Sequence, residues 1–255
     1  MFSEQINTLS EAAIKKSKLL KRSKTQYLVA AALAGMYVGL GILLIFTIGG
    51  YLDAAKSPAT KIVMGISFGV ALSLVLMAGS ELFTGNNMVM TVGTLEKKVT
   101  WVDTLKIWIF SYIGNFIGSI FLAWLFKLSG LATGHTAEFI VKAAAAKISP
   151  SFGQIFVRGI LCNILVCLAT WCYFKLKEET AKILMIFWCL FAFITTGFEH
   201  SIANMTLLTV ALMVPHNGTV TFGGYLHNLG ASSLGNIIGG AVFIGAAYWY
   251  ISREK

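Results

Sequence analysis

Long apolar runs alternate with short polar connections along this chain. Stretches with almost no charge cover 25–52, 62–80, 107–126, 159–174, 183–198 and 228–252, most of them approaching the ~20 residues that cross a bilayer. The pattern predicts six transmembrane helices. Two elements overrun a single span: 62–95 and 183–214 hold 34 and 32 residues, which at ~1.5 Å per residue reach roughly 50 Å against a hydrocarbon core of ~30 Å. Each also carries a carboxylate partway along, Glu81 and Glu199. A break in each helix is therefore predicted. Gly85 with Thr84, Asn86 and Asn87 suits a non-helical turn and a new helix start in the first, and Ser201 an N-cap in the second. Irregular backbone at membrane depth is tolerated only where protein buries it or a cavity meets it, so the breaks mark the candidate translocation site.

The two halves of the chain repeat. Glu81-Leu82-Phe83-Thr84-Gly85-Asn86 and Glu199-His200-Ser201-Ile202-Ala203-Asn204 both place Glu and Asn five apart, at an offset of 118, while Gly114-Asn115 with Gly118 and Gly235-Asn236 with Gly239 match at an offset of 121. With three spans per copy, the second copy enters the membrane from the opposite face, giving an inverted repeat about a pseudo-two-fold axis in the membrane plane. The expected architecture is an all-α integral membrane protein of six transmembrane helices, two of them interrupted. A single channel domain covers 1–255, with a basic segment over 1–26. Gly114, Gly118, Gly235, Gly239 and Gly240 read as small residues for close helix packing. Asn115 and Asn236 fit either a bond to neighbouring backbone or a role in the site.

Composition sharpens this picture. With 56% hydrophobic and 12% charged residues and a mean hydropathy of +0.76, against ~25% charged in an ordinary soluble domain, a water-soluble fold is excluded. The net charge of +9 becomes a topology signal once placed by loop. Fourteen cations (Lys15, Lys16, Lys18, Lys21, Arg22, Lys24, Lys97, Lys98, Lys106, Lys175, Lys177, Lys182, Arg253 and Lys255) fall on the N-terminal side, and six (Lys56, Lys61, Lys127, Lys142, Lys147 and Arg158) on the other. The bias predicts both termini in the cytoplasm and a multi-pass protein of the cytoplasmic (inner) membrane. The first apolar run, Thr25 to Leu52, exceeds the 7–15 residues of a signal-peptide core and reads as a retained helix. The basic segment before it reads as an orientation signal and lipid-headgroup contact, with a gating lid as the sharper alternative. Cys162, Cys167, Cys172 and Cys189 lie in apolar runs without a CxxC pair, and His135, His200, His216 and His227 are scattered. Neither a metal site nor a cofactor is expected, nor a nucleic-acid partner. An enzyme would need convergent catalytic groups, and the spans offer only Glu81, Glu199 and His200; none is expected.

Gly197-Phe198-Glu199-His200-Ser201-Ile202-Ala203-Asn204-Met205, with Glu81-Leu82-Phe83-Thr84, Gly235-Asn236-Ile237-Ile238-Gly239-Gly240 and Arg158-Gly159-Ile160-Leu161-Cys162-Asn163, resemble the formate/nitrite transporter family over all six spans. The resemblance implies a homopentamer of aquaporin-like protomers, each with its own pore for small monovalent anions such as formate, nitrite or hydrosulfide. It implies that His200 is the central pore histidine, Thr84 the threonine on the loop interrupting the second helix, and Asn236 the asparagine near the histidine. Phe68, Leu72 and Leu82 would form the cytoplasmic constriction and Phe83, Val166 and Phe193 the outer one, with Lys147 drawing anions into the outer vestibule. The Gly85-Asn86-Asn87 stretch after Thr84 is more polar than formate members would have, and the chain as a whole looks most like the hydrosulfide-channel branch.

The physics suits such a cargo. A charge at mid-membrane costs from ~2.5–3.5 to ~10–17 kcal/mol, while a half-helix N-terminus returns only ~0.3–2. A histidine there serves as hydrogen-bond donor, as cation, or as proton source turning the anion into its neutral acid. Glu81 and Glu199 would repel an anion and are expected to face away, tying down broken backbone. An aquaporin-like neutral-solute facilitator is the alternative, disfavoured because Asn-Pro-Ala is absent.

Overall fold

In a computed structural model, residues 2–253 are described; Lys255 of the loop-charge argument lies outside them. An amphipathic helix α1 (Ser3–Arg22) buries Ile6, Leu9, Ala13 and Leu20 along one face and precedes the first span, α2 (Lys24–Ala54). The second span is α3 (Thr60–Ser67) and α4 (Gly69–Met77), followed after a break by the half-helix α5 (Phe83–Leu95). Next come the third span α6 (Trp101–Leu128), a second amphipathic helix α7 (Gly134–Ile148) and the fourth span α8 (Phe152–Lys175). The fifth is α9 (Glu179–Thr196), broken before the half-helix α10 (Ser201–Met213). The sixth runs through α11 (Phe222–Ile238), a π-helical segment (Gly239–Ala246) and α12 (Ala247–Ser252). Six helices are long and apolar enough to cross a membrane. Each half-helix has 13 residues, about 20 Å, so each ends inside the bilayer.

Both breaks open on a glycine in the left-handed region, Gly79 (φ 81°) and Gly197 (φ 82°), 118 residues apart. A side chain at either would be strained there. The first break thus runs from Ala78 to Leu82, upstream of the expected Gly85 turn. Thr84, Gly85, Asn86 and Asn87 are helical and belong to α5. In the second, the N-cap is His200 rather than Ser201.

The five glycines let helices approach closely, as small residues in spans predict, and at Gly118, Gly235 and Gly239 the neighbour is backbone. A Cβ on Gly118 would meet the Ala32 carbonyl and one on Gly114 the Ala31 side chain, where α6 crosses α2. One on Gly235 would meet Phe156, and one on Gly239 Ile160, where α11 crosses α8. Gly240 abuts Asn163 and Asn87. The two crossings are equivalent under the inverted repeat. Chain ends share one face: the Phe2 ring sits 5.8 Å from Trp171 and 5.6 Å from Tyr248, and Trp249 Nε1 donates to Glu96 Oε1 at 2.7 Å. This is the α1 face; α7 lies on the other.

Candidate functional site

At the first break, Asn115 of α6 donates from Nδ2 to the carbonyls of Ala31 (2.7 Å) and Glu81 (2.9 Å), and its Oδ1 accepts from Phe83 N–H (2.9 Å). At the second, Asn236 of α11 donates to Gly159 (2.9 Å) and Glu199 (2.9 Å) and accepts from Ser201 N–H (2.9 Å). Each amide thus joins a complete span, the irregular backbone and the first N–H of the half-helix. Both of its donors and one of the two acceptor positions on its oxygen are used. Asn236 is fully buried and lines none of the cavities described below; it positions the break instead of facing a pore.

The carboxylates are paired with equal symmetry. Glu81 accepts from Lys16 of α1 (2.8 Å), the Tyr27 hydroxyl (2.8 Å) and Asn86 Nδ2 (3.2 Å). Glu199 accepts from Lys147 of α7 (3.0 Å), Asn204 (2.6 Å) and Asn228 (3.3 Å). Glu81 N–H donates to Ala30 (3.2 Å) and Glu199 N–H to Arg158 (3.3 Å). Both acids therefore fasten broken backbone, and each surface helix delivers one lysine to a break. Tyr27 and Asn228 were not singled out in the sequence, and Asn204 and Lys16 entered only as part of the repeat and of the orienting charge. The apolar spacing of Ile6, Leu9, Ala13 and Leu20 is the signal that would have turned the basic segment into a docked helix.

His200 joins the two half-helices. Its Nδ1 accepts from Ala203 N–H (3.1 Å), capping α10, and its Nε2 lies 3.0 Å from Thr84 Oγ1 on α5. A nitrogen that accepts a backbone N–H carries no proton, so in the neutral ring Nε2 holds the hydrogen and donates it to Thr84. Thr84 is fully buried in the first turn of α5, not on the interrupting loop. Asn86 and Asn87 bond Tyr27, Glu81 and Asn163, so their polarity serves the scaffold, and Asn86 with Gly85 also borders the cavity toward α1.

Three cavities run in file past this ring. The one toward α7, about 180 Å³, is lined by Ile45, Phe46, Phe139, Lys147, Phe193 and His200. The middle one, about 10 Å³, is bounded by Phe68, Leu72, Leu82, Val166, Phe193 and His200. The one toward α1, about 50 Å³, touches Lys16, Leu72, Leu82, Val89 and Thr170. Adjacent cavities share walls: Phe193 and His200 on one side, Leu72 and Leu82 on the other. The middle chamber is no larger than one water site, so these walls close the path.

The expected constriction sets regroup. Phe68 meets Phe193 edge-on at 5.5 Å, and Phe193 stacks on His200 at 6.0 Å; Phe68 stands on the α7 side rather than with Leu72 and Leu82. Val166 lies one turn before Thr170, which lines the α1-side cavity, on a helix running toward that face. Val166 therefore groups with the two leucines. Phe83 lies edge-on to Tyr112 at 5.0 Å and lines an apolar groove between α6 and α11, away from the file. Phe68 and Leu72 share a helix face one turn, about 6 Å, apart and so differ in depth, whereas Phe83 is one position from Leu82, a step that turns a side chain by about 100°.

Two half-helices meeting at a capped imidazole between closed cavities define a membrane channel or transporter. A model of the family described as Formate/nitrite transporter matches residues 3–250. The nitrite transporter NirC of Salmonella typhimurium is 42% identical over 260 residues, covering all of this chain and 94% of that protein. A solved structure described as an FNT family ion channel matches with a TM-score of 0.94 at 40% identity, covering 99% of this chain and 100% of that one. A pentameric formate channel with formate bound matches with a TM-score of 0.81 at 28% identity, covering 91% of this chain and 98% of that one. The chain belongs to the formate/nitrite transporter family, a family of membrane channels and transporters and not of enzymes.

Proposed function

We propose that the protein passes small monovalent anions of weak acids along the file of three cavities, with hydrosulfide the favoured cargo and nitrite and formate within its range. The observation that carries this reading is the His200 cap: with Nδ1 held by Ala203 N–H, the ring keeps its hydrogen on Nε2, donated to Thr84 Oγ1 at rest and released from it to an anion entering the chamber that His200 bounds. Hydrosulfide, with one heavy atom, is the smallest of the three anions and needs the least opening of the closed middle chamber. Lys147 lines the wider cavity leading to it and draws anions there, although its charge is shared with Glu199.

A second route, in which the ring itself protonates the anion, requires a proton on Nδ1 and hence loss of the cap. The cap favours hydrogen-bond donation by the neutral ring. One donor bond to a charged group contributes ~1.5–3 kcal/mol, which meets only the lower estimates for an ion at this depth. Conversion of hydrosulfide, formate or nitrite to its neutral acid removes most of the remainder, with the proton entering as hydronium from bulk solvent together with the anion, so that no hydroxide is left behind.

The test is flux of the three anions into proteoliposomes across pH, with His200→Ala. Loss of one charged hydrogen bond predicts a fall of about 10- to 100-fold. Unchanged flux would remove His200 from the path, and absence of flux for every anion would end the transport reading. A variant that keeps the wild-type pH dependence places the proton source in solvent; one that loses it assigns that role to the ring. Nitrite as principal cargo is the second reading, supported by the name of the NirC relative, and the relative rates decide between them. By analogy with the pentameric formate channel, five copies assemble through their apolar outer faces, each with its own path.

A further inference from the structure

We propose that the crevice between α1 and the first turns of α2 and α6 binds an anionic phospholipid by its phosphate. The cavity is about 180 Å³ and is lined by Leu20, Lys21, Lys24, Asp103, Lys106 and Phe110. Three cations face one carboxylate. Lys21 pairs with Asp103 at 2.8 Å, and among the described residues neither Lys24 nor Lys106 has a carboxylate within ion-pair distance. The crevice therefore holds two positive charges without counter-charge. Its depth matches the headgroup layer. Lys24 is the first residue of α2, Lys106 sits in the second turn of α6, and Trp101, 54% exposed, begins α6, where tryptophan marks the membrane interface.

The apolar lining separates a lipid from free phosphate. Leu20 is buried and Phe110 half-buried in the wall. Toward mid-membrane, α6 continues with exposed Ile109, Ile113 and Ile117 at four-residue spacing, one stripe of a helix. A phosphate among the lysines would thus have its acyl chains directed along this stripe. Basic pockets between membrane helices are suited to such headgroups. None of these residues belongs to the path past His200.

Native mass spectrometry of the full-length protein, titrated with phosphatidylglycerol, phosphatidylcholine or inorganic phosphate, tests the assignment. The wild type is expected to retain phosphatidylglycerol over phosphatidylcholine, and 0.5 M salt is expected to erase the preference. Lys24→Gln with Lys106→Gln should cut it roughly 25-fold, about fivefold per charge. Lys56→Gln with Lys61→Gln, on the opposite face, should leave it intact. Equal retention of the two lipids, a preference that survives high salt, or a Lys24/Lys106 variant with wild-type preference would each overturn the proposal. So would millimolar inorganic phosphate displacing the lipid, which would make the crevice a free-phosphate site. The salt arm needs no variant, so poor folding of the substituted protein leaves the proposal open to refutation.

Discussion

Asn115 and Asn236 each hold three backbone groups of three different segments, and replacing either with alanine strands all three in a buried setting. At ~0.6 kcal/mol per bond within a membrane and ~1–3 per unsatisfied buried group, Asn236→Ala should cost about 2–5 kcal/mol. Asn115→Ala should cost a similar amount, read as thermal midpoints in detergent. A large asymmetry would show that the two breaks are not equivalent. Lys147 tests a different balance. Its partner Glu199 is almost fully buried, with 2% of its side chain exposed, so Lys147→Ala leaves a nearly buried carboxylate without its cation, at a cost of ~3–5 kcal/mol. Adding Glu199→Gln removes that charge while keeping an acceptor for Asn204 and Asn228. The double variant should regain most of the thermal midpoint yet show reduced anion flux, separating the scaffold role of Lys147 from its role in the vestibule. His200 and Glu199 were legible in the sequence because an imidazole and a carboxylate are costly inside an apolar run. The depth that groups Phe68 with Phe193 and Val166 with Leu72 and Leu82 was not, since six apolar residues within spans look alike until their depth and facing are known.

At the level of elements, length together with a carboxylate partway along revealed both interruptions; length alone would not have done so, since α2 runs unbroken for 31 residues. Their exact position was another matter. Gly85 sits within α5, where Gly is merely a weak helix former, whereas the chain actually turns at Gly79, whose positive φ leaves no mark on hydropathy. Amphipathic α1 and α7 were overlooked because a search for twenty-residue apolar runs passes over helices that bury only one face. The glycine contacts were legible, and they carry a prediction. Gly118→Ala drives a methyl into the Ala32 backbone and Gly239→Ala into that of Ile160; backbone cannot move aside as a flexible side chain does. Each should cost at least the ~1–3 kcal/mol of ordinary overpacking and lower the thermal midpoint in detergent. Gly230→Ala, with open space around its Cβ, should be neutral or slightly stabilising, as expected for alanine within a helix. Equal behaviour of all three would mean that the crossings are looser than the backbone contacts imply.

For the whole molecule, the fold places α1 and the C-terminal α12 on one face and α7 on the other, as six crossings require. Which face meets the cytoplasm follows from charge, because lysine and arginine in short loops resist translocation. Among the described residues the α1 face carries thirteen of the cations counted by loop, and the α7 face the six from Lys56 to Arg158. Some cations on each face are paired with carboxylates, Lys147 and Lys142 on one and Lys16, Lys21 and Lys182 on the other, and because orientation follows the cations rather than net charge, pairing leaves the bias as counted. A fluorescent protein that matures only in the cytoplasm, fused after residue 255, should therefore fluoresce, and alkaline phosphatase at the same place should stay inactive. The reverse pair of results would invert the membrane orientation, putting Lys147 and the wider cavity inside the cell and Lys16 outside. The inverted repeat makes that alternative structurally permissible, since both breaks have the same amide, carboxylate and lysine. His200 has no counterpart of its kind, as Leu82 fills the matching N-cap position, so orientation decides from which side an anion reaches the ring before it meets the leucine wall.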